Sequence, residues 1–263
     1  MSEIGAQIEP VVRRERRGQV EILTINRPEA RNAVNPEVTS QMTAALDELD
    51  RDDDLRVIIL TGSGDKAFSA GLDLKAFSAG ARTGVGTPGG FAGFARRSIP
   101  VPVIAAVNGP ALAGGFELML SCDLVVAAEH AYFGIPEVKR GLLAAGGALV
   151  RLPKRLALPI AMELALTGDS ITAARALELG LVNRVVPSDR VLEESMELAE
   201  RIIANAPMSV RYGRQVTLAA ADVSEAEAWR LSDDAAGIVF SSKDAQEGPR
   251  AFAEKREPNW QGR

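Results

Sequence analysis

Hydrophobic and polar positions along this chain change their period near its middle. In the first half, short runs rich in apolar and β-branched residues recur at Val20 to Ile25, Val57 to Thr61, Val103 to Val107 and Leu124 to Ala127. Their length and the turn residues that bound them predict strands, and their near-continuous hydrophobicity predicts burial. A polar strand, Val11 to Arg16, precedes the first run and joins it through a hairpin at Arg17-Gly18. Between these runs the spacing becomes helical: Val38, Met42, Ala45, Leu46 and Leu49 share one face, behind Asn35 as an N-cap and Pro36 at the first helical position. Strand and helix alternating from Val20 to Ala128 predict stacked βαβ units and an α/β fold. From Gly146 onward the pattern is helical. Leu156 to Leu166 stops at Gly168, and Ala173 to Leu179 lies between a Thr172 cap and Gly180. After an extended VNRVVP, a helix capped by Ser188 runs to about Asn205, followed by helices over Met208 to Ala221, Ser224 to Phe240 and Asp244 to Lys255.

The stretch from Val103 to Asp123, VIAAVNGPALAGGFELMLSCD, sets the chemistry. A buried strand, a turn at Asn108-Gly109-Pro110 and a helix opening at Gly114-Gly115 leave unbonded N–H groups at the helix start. Those donors favour negative charge, and glycine lets a ligand approach the backbone. Glu117 is a carboxylate inside this apolar helix start, where a charge is costly without partners. From the residues alone two readings stay open: Glu117 caps its own helix, or it acts on a ligand. Glu137 follows Pro136 between Gly134 and Gly141, which predicts a turn beside Phe133, Ile135 and Val138. It is either a surface charge or a second functional carboxylate. Ser78 to Gly93, with six glycines, is either a mobile surface loop or a segment that gates substrate.

Composition narrows the chemistry further. The chain has 263 residues, enough for one large domain or one domain with an appended piece, and its formal net charge of −5 gives no footprint for nucleic acid. No stretch is apolar and long enough to span a membrane, and the polar N-terminus does not read as a secretory signal. One cysteine, Cys122, forbids an intrachain disulfide and suits a reducing, cytoplasmic setting. With Cys122 in an apolar helix and His130 as the one histidine, a Cys/His zinc site cannot be assembled. Acid–base work falls mainly to carboxylates, Lys or Tyr.

The chain resembles the crotonase, or enoyl-CoA hydratase/isomerase, superfamily. The resemblance rests on NRPEARNAVN (Asn26 to Asn35), FSAGLDLK (Phe68 to Lys75), IAAVNGPALAGGFELMLSCD (Ile104 to Asp123), FGIPEVKRGLLAAGG (Phe133 to Gly147) and LTGDSITAARALELGLVNRVVP (Leu166 to Pro187), in that order. The tail EGPRAFAEKREPNWQGR, with PGGFAG at Pro88 to Gly93, is similar to the carnitinyl-CoA dehydratase branch. That branch usually has Trp where this chain has Leu72. Family members often carry Pro near Leu143-Ala144-Ala145 and a TQRL-like sequence where ALVRL (Ala148 to Leu152) stands here.

The resemblance implies a spiral of ββα units over residues 1–200 and a helical trimerisation region over 201–263, in homotrimers that often pair into hexamers. It implies an oxyanion hole from the N–H groups of Leu72 and Gly114, with Glu117 and Glu137 as the acid/base pair. Coenzyme A, part of the substrate rather than a cofactor, is then held near Ala30, Arg31, Ala70, Leu72, Asp73, Leu74, Lys75 and Gly114. No metal and no other cofactor is implied. The implied reaction is reversible syn addition of water to a 2-trans-enoyl-CoA thioester, within fatty-acid β-oxidation chemistry. The alternatives are a carnitinyl-CoA dehydratase, an enoyl-CoA isomerase or a non-catalytic acyl-CoA binder.

Overall fold

Two sheets share the first 190 residues, and the chain crosses from one to the other once per turn. The computed structural model describes residues 9–81 and 87–263. The larger sheet has six strands: β1 (Val12–Arg17), β2 (Val20–Ile25), β3 (Val57–Gly62), β4 (Val103–Val107), β6 (Leu124–Ala128) and β9 (Arg184–Val186), in the spatial order β1-β2-β3-β4-β6-β9. β1 and β2 are an antiparallel hairpin, and every later pairing in this sheet is parallel. β3 and β4 are buried along their whole length, as parallel strands covered on both faces must be. β1 is the edge, and its exposed arginines discourage pairing with another chain.

The smaller sheet joins β5 (Ala111–Leu112), β7 (Tyr132–Gly134) and β8 (Ser170–Thr172). None of the three has more than three residues, too few for a period to show in sequence. Isolated parallel bridges extend the same seam to earlier turns, Val34 with Leu72 and Ser69 with Ala111. Each turn of the chain therefore runs through a large-sheet strand, then a short seam strand, then a helix. α1 (Pro36–Leu49), α2 (Leu74–Ser78) and α3 (Gly114–Leu120) close successive turns. This is the ββα spiral, and it stacks residues just past each seam strand beside those of the next turn.

α1 forms as its pattern predicts. Asn35 accepts from the Val38 N–H, Pro36 opens the helix, and Val38, Met42, Ala45, Leu46 and Leu49 are buried. Burying each of the larger ones contributes roughly 1.5–3 kcal/mol. Beyond β7 come α4 (Ala148–Arg155), α5 (Leu158–Thr167), α6 (Ala173–Glu178) and α7 (Val191–Ile203). Ser188 does not cap α7: a short 3-10 turn over Ser188–Arg190 intervenes, and α7 starts without a side-chain cap. α8 (Pro207–Ala220), α9 (Glu225–Phe240) and α10 (Lys243–Glu254) complete the chain. α8 and α9 pack on each other and bury no residue fully. An Arg214–Asp123 ion pair at 2.8 Å ties α8 back to the end of α3. No helix among the described residues is long and apolar enough to cross a membrane.

Candidate active site

The Leu72 side of the site is held by a buried asparagine. Asn32 donates to the carbonyls of Ser63 (3.0 Å) and Ala67 (2.8 Å), and accepts from the Arg27 N–H (3.0 Å) and the Ser63 hydroxyl (3.3 Å). Ser69 donates to the Asn32 carbonyl and accepts from the Gly71 N–H. The Val34 bridge takes up the Gly71 carbonyl and the Asp73 N–H, and the Ala70 N–H donates to the Arg31 carbonyl. Leu72 N–H is left with no acceptor among the described residues.

On the next turn of the spiral, Ala113 precedes α3 with φ 51° and ψ −128°, a strained conformation for a residue with a Cβ. It swings the chain so that Gly114 opens the helix. The first N–H groups of a helix have no intrahelical acceptor, and the Gly114 N–H finds none elsewhere among the described residues. Gly71 presses on this spot: a Cβ there would stand 2.5 Å from the Gly114 nitrogen and 2.9 Å from the Leu112 carbonyl oxygen. Gly115 is packed as closely against Ser69, so a side chain at either glycine would separate the two turns.

α3 is buried at every residue, Glu117 included at 3% exposure. Glu117 does not cap its own helix. Its Oε1 accepts from the Ala148 N–H at 3.1 Å, at the start of α4, and its Oε2 lies against the Cα of Gly146. Burial pushes its carboxyl up, while the amides of Ala148, Gly146 and Gly147 and the charge of Arg151 pull it back.

Glu137 lies on a 3-10 turn, Pro136–Arg140, that α5 packs against. Its Oε2 is buried with no hydrogen-bond partner among the described residues. Burial, and the nearby Glu117 charge, push its carboxyl up to about 7; its own backbone amide and Arg140 oppose the rise only in part. The structure thus brings Glu117 and Glu137 within electrostatic reach of each other and gives them unequal surroundings.

The remaining candidates divide. Arg31 and Ala70 line a cleft of about 290 Å³ with Lys66, Ala67, Ser69, Pro110, Leu112 and Tyr132. Ala30, Leu72, Asp73, Leu74 and Lys75 lie outside that lining. Asp73 is committed locally: it caps α2 through the Lys75 and Ala76 amides and pairs with Arg27 at 2.9 Å. Leu74 and Lys75 are exposed on the first turn of α2. A larger open groove, about 860 Å³ between the β1–β2 turn and α7, contains none of these residues.

The glycine-rich stretch Ser78 to Gly93 lies partly outside the described residues. Its described end is no surface loop, since Phe91, Ala92 and Gly93 are buried. The Phe91 ring packs on the Cα of Gly114, and the Phe91 Cβ lies close to Gly146. Residue spacing gives no sign of this, because Phe91 sits among glycines rather than in a periodic run. Cys122 is buried just past the end of α3, and His130 is exposed. Among the described residues no group of three or more His, Cys, Asp or Glu is placed to hold a metal ion.

Comparison with known proteins gives this geometry a family. The enoyl-CoA hydratase/isomerase family model matches residues 15–263. The enoyl-CoA hydratase EchA19 of Mycobacterium tuberculosis is 44% identical over 256 residues, 95% of this chain and 96% of that one. A carnitinyl-CoA dehydratase of Salmonella arizonae is 42% identical, covering 94% of this chain and 97% of its own. The crystal structure of an enoyl-CoA hydratase from Mycobacterium tuberculosis superposes with a TM-score of 0.93 at 48% identity, over 97% of this chain and all of that one. The chain belongs to the enoyl-CoA hydratase/isomerase family, and its ββα spiral is the crotonase fold.

Proposed function

We propose that the chain is an enoyl-CoA hydratase, adding water reversibly and syn across the double bond of a 2-trans-enoyl-CoA thioester. The observation that carries this reading is the pair Glu117 and Glu137: two carboxylates within each other's field, one held by three amides and the other with an oxygen that has no partner among the described residues. Addition of water to C3 builds negative charge on the thioester oxygen. The Leu72 and Gly114 N–H groups are the donors for that oxygen, and fixed donors aimed at developing charge are among the strongest catalytic devices. Glu117, ionised, orients the water and takes its proton. Glu137, protonated near neutrality, delivers a proton to C2. The pair carries one proton before and after the step, so the same machinery serves dehydration. Coenzyme A runs along the first-turn loop and α2, near Ala30, Arg31, Ala70 and residues 72–75, with the cleft at Arg31 and Ala70 as its most enclosed part. The chemistry needs no metal or separate cofactor.

The test is a panel of enoyl-CoA and hydroxyacyl-CoA thioesters of short, long and carnitinyl type, read by mass. Gain of one water by the enoyl substrates and loss by the hydroxyacyl ones is expected. A 3-enoyl-CoA that returns only 2-enoyl product, with no hydrated species anywhere in the panel, makes the chain an isomerase instead. Turnover confined to the carnitinyl member points to the carnitinyl-CoA dehydratase reading, which the Salmonella arizonae relative and the tail sequence support; the reaction class is then unchanged.

The same reading divides the chain into a catalytic core over residues 1–200 and a helical region over 201–263 that assembles trimers, or trimers paired into hexamers. Trp229 is 63% exposed, Phe240 77% and Phe252 85%, surfaces that an isolated chain would leave in water. Light scattering in solution is expected to give the mass of three or six chains. A monomer at micromolar concentration would remove this part of the proposal.

A further inference from the structure

Two arginines on α4, Arg151 and Arg155, spend their hydrogen bonds on main-chain carbonyls and form no ion pair among the described residues. They are one helical turn apart and both half-buried; Arg151 donates to Ala95 and Arg155 to Cys122. Burial and the mutual repulsion of the two guanidiniums work against the charge on Arg151. Such a charge is costly unless an anion repays it. The anion whose field reaches Arg151 is Glu117.

The placement follows from the local fold. Gly147, at φ 125°, caps α4, and Ala148 is its first residue. The Ala148 N–H holds Glu117, so Glu117 sits at the positive end of this helix. Arg151 is one turn further along α4. Its guanidinium packs back over the Cα of Gly147, where a Cβ would collide with it. The bond to the Ala95 carbonyl braces it from the segment that also carries Phe91.

We propose that Arg151 is a positioning residue, whose guanidinium, braced on Ala95 and folded over Gly147, fixes the α4 start against Glu117 and keeps Glu117 the ionised member of the carboxylate pair. The inference rests on the hydratase reading for its kinetic consequence. The charged and titratable groups involved are few. Glu117 is faced by Arg151 from α4 and by Glu137 from the 3-10 turn. Arg151 is faced also by Arg155, Arg96 and Cys122, and Glu137 by Arg140. Without Arg151, Glu117 loses the positive charge whose field favours its ionised form and competes with Glu137 for the shared proton. The water then loses its base at mildly acidic pH.

The experiment is the pH profile of kcat/KM for crotonyl-CoA hydration in the full chain, for wild type, Arg151→Gln, Arg151→Lys and Arg155→Gln. Arg151→Gln is expected to move the acidic limb to higher pH, because the positive charge that favours ionised Glu117 is gone. Arg151→Lys keeps a charge near the same place and is expected to keep most of the wild-type limb. Arg155→Gln removes a second half-buried arginine from the same helix and is expected to leave the limb where it is. A folded Arg151→Gln enzyme with an unmoved limb, or the same shift in Arg155→Gln, overturns the proposal. Should Arg151→Gln not fold, or should wild type hydrate nothing, carbon-13 titration of the glutamate carboxyls of the wild-type protein decides it. Glu117 is expected to titrate below Glu137, and the reverse order overturns the proposal independently of the hydratase reading.

Discussion

Glu117→Gln and Glu137→Gln are each expected to lower kcat for enoyl-CoA hydration by about 10²–10⁴-fold, the usual worth of a positioned acid or base. The double variant is expected to lose little more than the worse single one, because groups that act on one proton are not additive. The two variants separate in stability. Glu137 has a folded-state pKa of about 7 against an ordinary 4.5. The folded protein therefore holds this proton more tightly than the unfolded chain. Stability is unaffected by the group below pH 4.5, is lost as pH rises through 4.5 to 7, and stays lowered above 7. Glutamine never ionises, so Glu137→Gln is expected to melt higher than wild type at pH 8, with the advantage gone at pH 4.5. Burial pushes the Glu117 carboxyl up too, but Glu117→Gln is expected to gain less, since it offers an amide NH₂ where Ala148, Gly146 and Gly147 already point donors. Thermal melts at the two pH values and steady-state kinetics at pH 7 check both halves. A Glu117→Gln enzyme that isomerises a 3-enoyl-CoA at full rate beside an inactive Glu137→Gln enzyme would favour isomerase chemistry over hydration.

The parts of this fold that repeat were legible in the sequence. α1 could be read to the residue, because five apolar positions on one face and an Asn-Pro start are local signals. β3 and β4 were equally plain as apolar runs. The seam that builds the site was not: β5 has two residues, and the bridges Val34–Leu72 and Ser69–Ala111 have no pattern of their own. Nearness of Leu72 to Gly114 is a property of the spiral's pitch, which no window along the chain contains. The same holds for Glu117. Its own segment left capping and chemistry equally open, and the partner that decides, Ala148, is 31 residues away. Glu137 was placed on a turn correctly, but its unpartnered oxygen depends on what packs over that turn. The roles proposed for these residues rest on family resemblance, which carries the missing long-range information in compressed form.

Gly71→Ala is expected to lower kcat by about 10²–10³-fold, the cost of removing one oxyanion donor, while leaving coenzyme A binding nearly unchanged. The added methyl would sit 2.5 Å from the Gly114 nitrogen and 2.9 Å from the Ala113 Cβ, so the second and third turns must move apart at the point where both free amides lie. A shift of that kind spoils the aim of the Leu72 and Gly114 N–H groups without touching either carboxylate. Gly71 also has φ +83°, a conformation that costs a side chain roughly 1–2 kcal/mol, so a lower melting temperature is expected as well. Gly18→Ala separates the two effects. Gly18 has φ +57° in the β1–β2 turn and nothing within 4 Å of its missing Cβ. It carries the same kind of backbone penalty with no steric push on the site. Its melting temperature should fall by a similar amount with kcat intact. Equal kinetic losses in the two variants would mean that Gly71 matters only to folding, and the oxyanion hole would have to be sought at other amides.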